Sequence, residues 1–355
     1  VSVGMLEHVG KKFYNKYFTE FSETHSIPVD LKWKNDEAIA TRNVFGRVLE
    51  KWGDTLQTLI GGSADLEPSN MTGWFADKVS DFNANNYKGR NIAYGVREFP
   101  MASISNGIAL FGGLKPFCAT FLTFSDYMRP ALRLAAIQQI SVLHEFSHDS
   151  FYLGEDGPTH QPIEHLMSLR SMPGLYVMRP CDARETTALM EVSLSLKAPV
   201  ALCLTRQKVP TLEAAEDNQE NIIKGGWCVA KSSNNKPQLL IVATGSEVHL
   251  ALHISKVLEL TYGVTTQVSS LCCWELFSQQ SLEYRNQVIP PNIENRVSIE
   301  AGSTLGWERF TGNNGLCIGI DHYGKSAPMK DLAKNFGFDS ENIVQRICSH
   351  FPQLF

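Results

Sequence analysis

The sequence predicts two consecutive three-layer α/β domains with mostly parallel sheets. Three observations carry that expectation. A chain of 355 residues is longer than one domain of about 100 to 200 residues. Short apolar runs alternate with amphipathic helical windows, as strands do when crossover helices join them. A polar stretch, Glu213-Ala214-Ala215-Glu216-Asp217-Asn218-Gln219-Glu220-Asn221, interrupts the alternation and marks a domain junction.

Taken in order, residues 1–35 are charged and aromatic, with a helix-like stretch over 11–21 and the connector Ser26-Ile27-Pro28-Val29-Asp30, and read as an arm or linker. The first domain, 36–212, begins with the apolar run 58–60, a helix over 100–110 and the run 117–121. A helix over 125–137, the run 140–146, a helix over 161–169, the run 175–178, a helix over 183–196 and the run 200–205 complete it. The second domain, 222–355, repeats the logic with runs at 238–244, 265–270, 297–301 and 316–320, and helices over 247–258 and 327–336.

Composition narrows the function. Apolar residues at 43% and charged residues at 19% describe a globular chain. A net charge of -5 without a long basic block argues against nucleic acid as a partner. The eight cysteines form no CxxC pair and no framework spacing, so reduced, buried thiols are expected. No apolar stretch approaches the roughly 18 residues of a membrane helix, and Val1-Ser2-Val3-Gly4 opens no signal pattern. A soluble, cytoplasmic chain without a membrane partner is expected, and its opening valine suggests a processed or trimmed piece.

Two motif matches fail on context. His144-Glu145-Phe146-Ser147-His148 fits the zinc pattern H-E-x-x-H, but the lead-in Ile140-Ser141-Val142-Leu143 predicts a strand, where imidazoles four residues apart lie about 13 Å from each other. Gly319-Ile320-Asp321-His322-Tyr323-Gly324-Lys325-Ser326 fits the phosphate loop G-x-x-x-x-G-K-S. There His322 and Tyr323 would crowd backbone that must wrap phosphate, and Pro328 removes an early helix N–H. His249 and His253, four apart in a predicted helix, have no third ligand in sight.

A different constellation carries chemistry. Glu98 lies in Tyr94-Gly95-Val96-Arg97-Glu98-Phe99, ahead of Phe121, Phe124 and Tyr127 and of Gly154-Glu155-Asp156-Gly157-Pro158-Thr159-His160-Gln161-Pro162. A carboxyl group beside an aromatic platform can orient a flat nitrogen heterocycle, the rings supplying face contacts and the acid one directional hydrogen bond. With Gly61-Gly62-Ser63-Ala64-Asp65-Leu66-Glu67-Pro68-Ser69-Asn70 upstream, these segments stand in the order seen in transketolases. Ala243-Thr244-Gly245-Ser246-Glu247 and Gly324-Lys325-Ser326-Ala327-Pro328 continue the likeness more loosely. The chain resembles the C-terminal part of a transketolase.

That resemblance implies thiamine diphosphate as cofactor, with Glu98 hydrogen-bonding the pyrimidine ring nitrogen. For this role Glu98 should be protonated, its pKa raised by burial. Phe121, Phe124 and Tyr127 would form the pyrimidine pocket and Asp65 would lie near the cofactor. His148, Asp156 and His160 would contact sugar hydroxyls and move protons, as imidazoles titrating near neutrality can. Arg42, Ser69 and Arg206 would clasp the sugar phosphate, for which a forked guanidinium is suited. The plain alternatives are a helix-terminal Glu98, core aromatics, loop-tying histidines and solvated arginines. Pro100 and Lys208-Val209-Pro210 depart from the pattern.

The Gly-Asp-Gly start that grips the diphosphate through Mg2+ in this superfamily has no match here. The resemblance therefore implies a fragment or one subunit of a split enzyme, nearly inactive alone. Its partners would be sugar phosphates, a second copy in a homodimer, and the diphosphate-binding half. The implied reaction is transfer of a two-carbon ketol unit from a ketose phosphate to an aldose phosphate. The competing readings are a dehydrogenase or synthase β-type subunit and a non-catalytic partner.

Overall fold

The computed structural model describes residues 27–232 and 236–355. The helix expected over 11–21 lies outside the described residues. Its connector is tied down: the backbone N–H of Val29 donates to Glu191 Oε1 at 2.6 Å.

Two mostly parallel five-stranded sheets form the body. In the first, β2 (Leu59–Ser63), β3 (Lys115–Phe121), β4 (Leu143–Ser147), β5 (Tyr176–Met178) and β6 (Val200–Leu204) run parallel in the order β2-β3-β4-β6-β5. In the second, β8 (Trp227–Lys231), β9 (Leu239–Ala243), β10 (Thr266–Ser270), β11 (Asn295–Ile299) and β12 (Leu316–Ile318) take the order β12-β11-β9-β10-β8. Only β8 in that sheet is antiparallel. A short ribbon pairs β1 (Ile39–Ala40) with β7 (Lys208–Val209).

Residue choice explains the pairing. Phe117, Ala119, Leu143, Ala201, Leu202, Ile241 and Val242 are fully enclosed, as strands covered on both faces require. β2 keeps Gly61 and Gly62 because its faces are pressed shut: a Cβ on Gly61 would lie 2.0 Å from the Phe117 carbonyl, and one on Gly62 2.2 Å from that of Ile92. The helix Thr41–Thr55 buries Val44, Phe45, Val48, Leu49 and Trp52, a helical stripe, on the first domain. A single apolar cluster runs from Trp52 and Phe117 through to Ile241 and Ile299, so the two domains share a core.

Some expectations shift. The helix expected over 161–169 starts only at His165 (His165–Arg170), because Gln161 is drawn into a loop tie. The polar stretch expected as a junction does stand between β7 and β8, but it is folded, into a 3-10 turn, Glu213–Asn218, and a helical turn, Gln219–Ile222, that bury Ala215 and Ile222.

At the carboxyl ends of both sheets the domains are locked by charge. Arg179, fully enclosed after β5, donates through Nε to Asp149 at 2.8 Å and through Nη1 to Glu247 and to the Thr244 carbonyl at 3.1 Å. Beside it Arg170 grips Glu300 with two 2.8 Å bonds, and Trp307 Nε1 adds a third at 2.9 Å. Burial alone would push the Glu300 carboxyl up, but Arg170 and Arg179 hold it down at about 2. Removing the central cation strands two carboxylates, Asp149 and Glu247, in the interior. Arg179→Met should destabilise the protein by about 3 to 5 kcal/mol in denaturant unfolding, and a loss under about 1 kcal/mol would show that the knot is not structural.

Candidate functional site

Most of the residues singled out in the sequence stand where strands of the first sheet end. Asp65 and Ser69 follow β2, Phe121 closes β3 with Phe124 and Tyr127 just beyond, His148 follows β4, and Arg206 follows β6. Ligands of open parallel sheets sit in the crevice outside these carboxyl ends.

The rings form one cluster. Phe121 stacks on Phe124 with centroids 5.6 Å apart and planes within 16°. The His148 imidazole lies 3.9 Å from Phe121, and His160 stands edge-on to Phe124 at 5.4 Å. His148 has φ 60, a left-handed backbone that a residue with a Cβ adopts at a cost, and such strain gathers at functional sites. Its Nδ1 is 2.8 Å from Ser147 Oγ, which accepts from Asn70 Nδ2 at 2.9 Å. Asn70 in turn donates to the Thr120 carbonyl at 3.0 Å and accepts from Ser63 Oγ at 2.8 Å. The arrangement that uses every proton has Ser147 donating to Nδ1, leaving the imidazole proton on Nε2.

Electrostatics correct one expectation. Burial first, then the positive charges of Arg42, Arg206 and His160, push His148 down to about 3. A titrating shuttle was expected there, whereas the environment keeps this imidazole neutral at ordinary pH. His160 is half-buried, with Thr123 Oγ1 donating to its carbonyl at 2.8 Å. Arg42, half-buried in the first turn of its helix, donates through Nη1 to the Ser69 carbonyl at 2.8 Å, which joins two of the expected phosphate-clasping residues. Arg206 is exposed, and its charge bears on both Arg42 and His148. This gathers positive charge beside the ring cluster.

Other residues stand further out. Glu98, the first residue of the helix Glu98–Phe111, is half-buried, less than the deep burial expected of it, and its neighbours Val96 and Phe99 are exposed. Pro100 fits without strain in the first turn, where no helical N–H is needed. Tyr127 is 65% exposed, and Asp65 and Asp156 also face solvent.

The two discounted motifs resolve physically. His144 and Glu145 are adjacent on β4 and so point to opposite faces, with His144 Nδ1 3.1 Å from Cys118 Sγ. In the phosphate-loop match, Gly324 lies so close to Gln161 that a Cβ would come within 1.6 Å of its Oε1. Gln161 Nε2 donates to the Lys325 carbonyl at 2.9 Å and to the Gly154 carbonyl at 2.8 Å, while Ser326 Oγ donates to the Glu155 carbonyl. The second domain thus braces the loop that carries Asp156 and His160.

Sequence reasoning missed Asn70, Ser147 and Gln161, which lie inside the motif strings but reveal their part only through burial and bonding. It also missed Glu145. Fully enclosed on β4, Glu145 has neither carboxyl oxygen hydrogen-bonded, and the helical zinc pattern had absorbed it.

The fold, two consecutive mostly parallel α/β domains, is of the transketolase-type thiamine-diphosphate enzymes. The model of the transketolase pyrimidine-binding domain matches residues 37–211, and that of the transketolase-like C-terminal domain matches 225–339. The chain belongs to the transketolase family, of which it carries these two domains. It is 42% identical to the transketolase of Aquifex aeolicus (strain VF5) over 356 residues, covering 96% of this chain and 51% of that one. The Pichia stipitis transketolase structure in complex with sedoheptulose 7-phosphate superposes with a TM-score of 0.84 at 39% identity, over 89% of this chain and 46% of that one. A split-gene transketolase described as an inactive β4 tetramer shares the fold with a TM-score of 0.68 at 21% identity, covering 88% of this chain and 98% of that one. The chain spans about half the length of the first two.

His148 gives a test of the site's electrostatics. Its pKa is depressed from 6.5 to about 3, so the native state binds fewer protons than the unfolded chain in that window. Its contribution to stability is therefore lost as pH falls from 6.5 towards about 3. The His148 ring nitrogens should report a neutral imidazole by NMR at about pH 5, where an unperturbed histidine is charged. A protonated His148 at that pH would contradict the environment described.

Proposed function

We propose that this chain supplies the pyrimidine and sugar-phosphate half of a thiamine-diphosphate site for ketol transfer between sugar phosphates. The observation that carries the reading is the side-chain cluster at the carboxyl edge of the first sheet, where stacked rings, a neutral buried imidazole and two arginines meet.

The residues present fit the cofactor's pyrimidine end. Phe121 and Phe124 offer ring faces and Glu98 a half-buried carboxyl at a helix start. When bound, thiamine diphosphate supplies the acidic thiazolium carbon and the electron sink that carbon–carbon cleavage needs. Glu98 would hold the pyrimidine nitrogen, with Tyr127 at the rim and Asp65 nearby. His148, uncharged, would hydrogen-bond a sugar hydroxyl through Nε2–H, and His160 would move the proton. Asp156 would fix a further hydroxyl, and Arg42, Ser69 and Arg206 would hold the phosphate.

The diphosphate grip and its Mg2+ belong, on this reading, to a domain that this chain does not contain, so the chain alone is nearly inactive. The helices Glu98–Phe111 and Ser125–Gln138 pack together and present Phe99, Ile104, Leu110, Phe111, Leu134 and Ile137, all about half exposed, as an apolar face for a second copy or for that half. Unpaired, irregularly spaced cysteines agree with a reducing compartment such as the cytoplasm.

The test adds the diphosphate-binding half and measures ketol transfer. Activity should appear on mixing, and Glu98→Gln should lower kcat by about 10²-fold or more while the chain remains folded. Near-normal turnover by that variant would remove Glu98 from the mechanism. Absence of transfer by the unaltered mixture would favour a non-catalytic partner.

A further inference from the structure

Among the described residues Glu145 is the charge-bearing group with the least explained setting. It lies on β4 with Ala119 of β3 and Leu202 of β6 as its lateral neighbours, neither able to hydrogen-bond it. Strand alternation puts it on the same face as Ser147, one pleat, about 7 Å, beneath the serine that holds His148. The Asn70 amide is near enough for a weak side-chain hydrogen bond to it, but both amide protons of Asn70 are already given to the Thr120 carbonyl and Ser147 Oγ. Both oxygens of Glu145 are buried and lack a well-formed hydrogen bond.

Arg42 presents the complementary deficit. Its Nε is buried and likewise unpartnered, while Nη1 reaches outward to Ser69. Arg42 and Glu145 lie within electrostatic reach of each other. A donor without an acceptor and an acceptor without a well-formed donor thus feel each other's charge, each carrying a desolvation cost that an ion pair between them would relieve.

We propose that Glu145 is a positioning residue for Arg42: uncharged, it leaves the guanidinium turned outward to clasp an anionic group, and ionised, it draws Arg42 inward through Nε. This rests on the reading of Arg42 as part of a phosphate clasp. Burial pushes the Glu145 carboxyl well up, against the pull of Arg42 and of the Asn70 amide, which favours the neutral form. Cys118 of β3, on the opposite face with His144, feels the charge of Glu145 through the sheet, and its thiol, pushed up to about 12 by burial, stays protonated. As pH rises the Glu145 proton leaves to solvent. The new negative charge both retracts Arg42 and repels a phosphate, so the two effects act in one direction.

Two measurements test this on the full chain. The infrared difference between the protein and its Glu145→Gln variant should show a protonated-carboxyl C=O stretch at neutral pH that disappears on the alkaline side. Because proton and anion binding are linked reciprocally, inorganic phosphate should move that disappearance to higher pH. The absence of the band at neutral pH, or an unmoved midpoint, would overturn the proposal whether or not the chain takes part in ketol transfer. With the diphosphate-binding half present, KM for a phosphorylated ketose should rise about fivefold or more, at unchanged kcat, as pH is raised through the midpoint at which the infrared band is lost. Glu145→Gln, with Glu145→Leu as a second variant should the first not fold, should flatten that rise to within about twofold. An equal rise in the variant would assign the pH dependence elsewhere and overturn the proposal.

Discussion

Arg179 is the constraint on which the arrangement of the two domains and of the site depends. It leaves the end of β5, passes into the second domain, and takes acceptors from Asp149, Thr244 and Glu247, with Glu300 4.0 Å away. A buried ion cluster of this kind adds little net stability compared with apolar packing, but it punishes any docking that leaves one member unpaired. Its effect is therefore to allow one relative placement of the sheets. That placement reaches the site through Asp149, which directly follows His148. Ser147 is held in β4 on one side, and on the other Asp149 is fixed by Arg179 and by its own N–H, which donates to the Leu204 carbonyl at 3.2 Å. With both neighbours fixed, the left-handed backbone of His148 is over-determined and the imidazole is aimed at Phe121.

The sequence made the strands legible where they are buried on both faces, because continuous apolar runs such as 117–121, 200–205 and 238–244 have few other uses in a chain of this composition. It concealed elements whose partners lie far away. The helix Thr41–Thr55 carried a readable stripe at Val44, Phe45, Val48, Leu49 and Trp52 that went unread. β8 escaped because Trp227–Lys231 is short and alternates between buried and partly exposed positions. The ribbon of β1 and β7 has only two residues a side. Among site residues, the aromatic, histidine and arginine types stood out by order and motif. What no local pattern could reveal was environment. Arg179 in Met178-Arg179-Pro180 looks like a solvated arginine, and the near-neutral titration expected of His148 gives way once burial and two arginines surround it.

The same separation explains the loop from Gly154 to Gln161. A segment with this much glycine and proline has little intrinsic reason to hold one shape, and its order comes from the second domain. Gln161 is enclosed and bonds both its own loop and the Lys325 carbonyl, while Gly324 can approach it only because it has no side chain. The phosphate-loop likeness of residues 319–326 therefore has a mechanical origin: glycine is required for close backbone approach to a protein side chain here, as it is for approach to a nucleotide elsewhere.

Two pockets of buried charge lie near the same strand ends, and they are built on opposite principles. Around Arg179 and Arg170 each carboxylate is paired with a guanidinium, so charge is frozen and the frame is stiff even though Arg170 Nε and Arg179 Nη2 lack partners. Around Arg42 and Glu145 the accounting is left open, with buried atoms of both residues lacking partners. An unmade buried interaction costs about 1 to 3 kcal/mol, a cost that the fold could remove by exchanging Glu145 for an apolar residue beside Ala119 and Leu202. Retaining an acid there makes sense only if its proton does something that an apolar side chain cannot. Since Arg42 turns outward to the very crevice where rings and imidazoles converge, the groups left free to rearrange are those nearest to where an anion would bind, and the rigid knot confines that freedom to them.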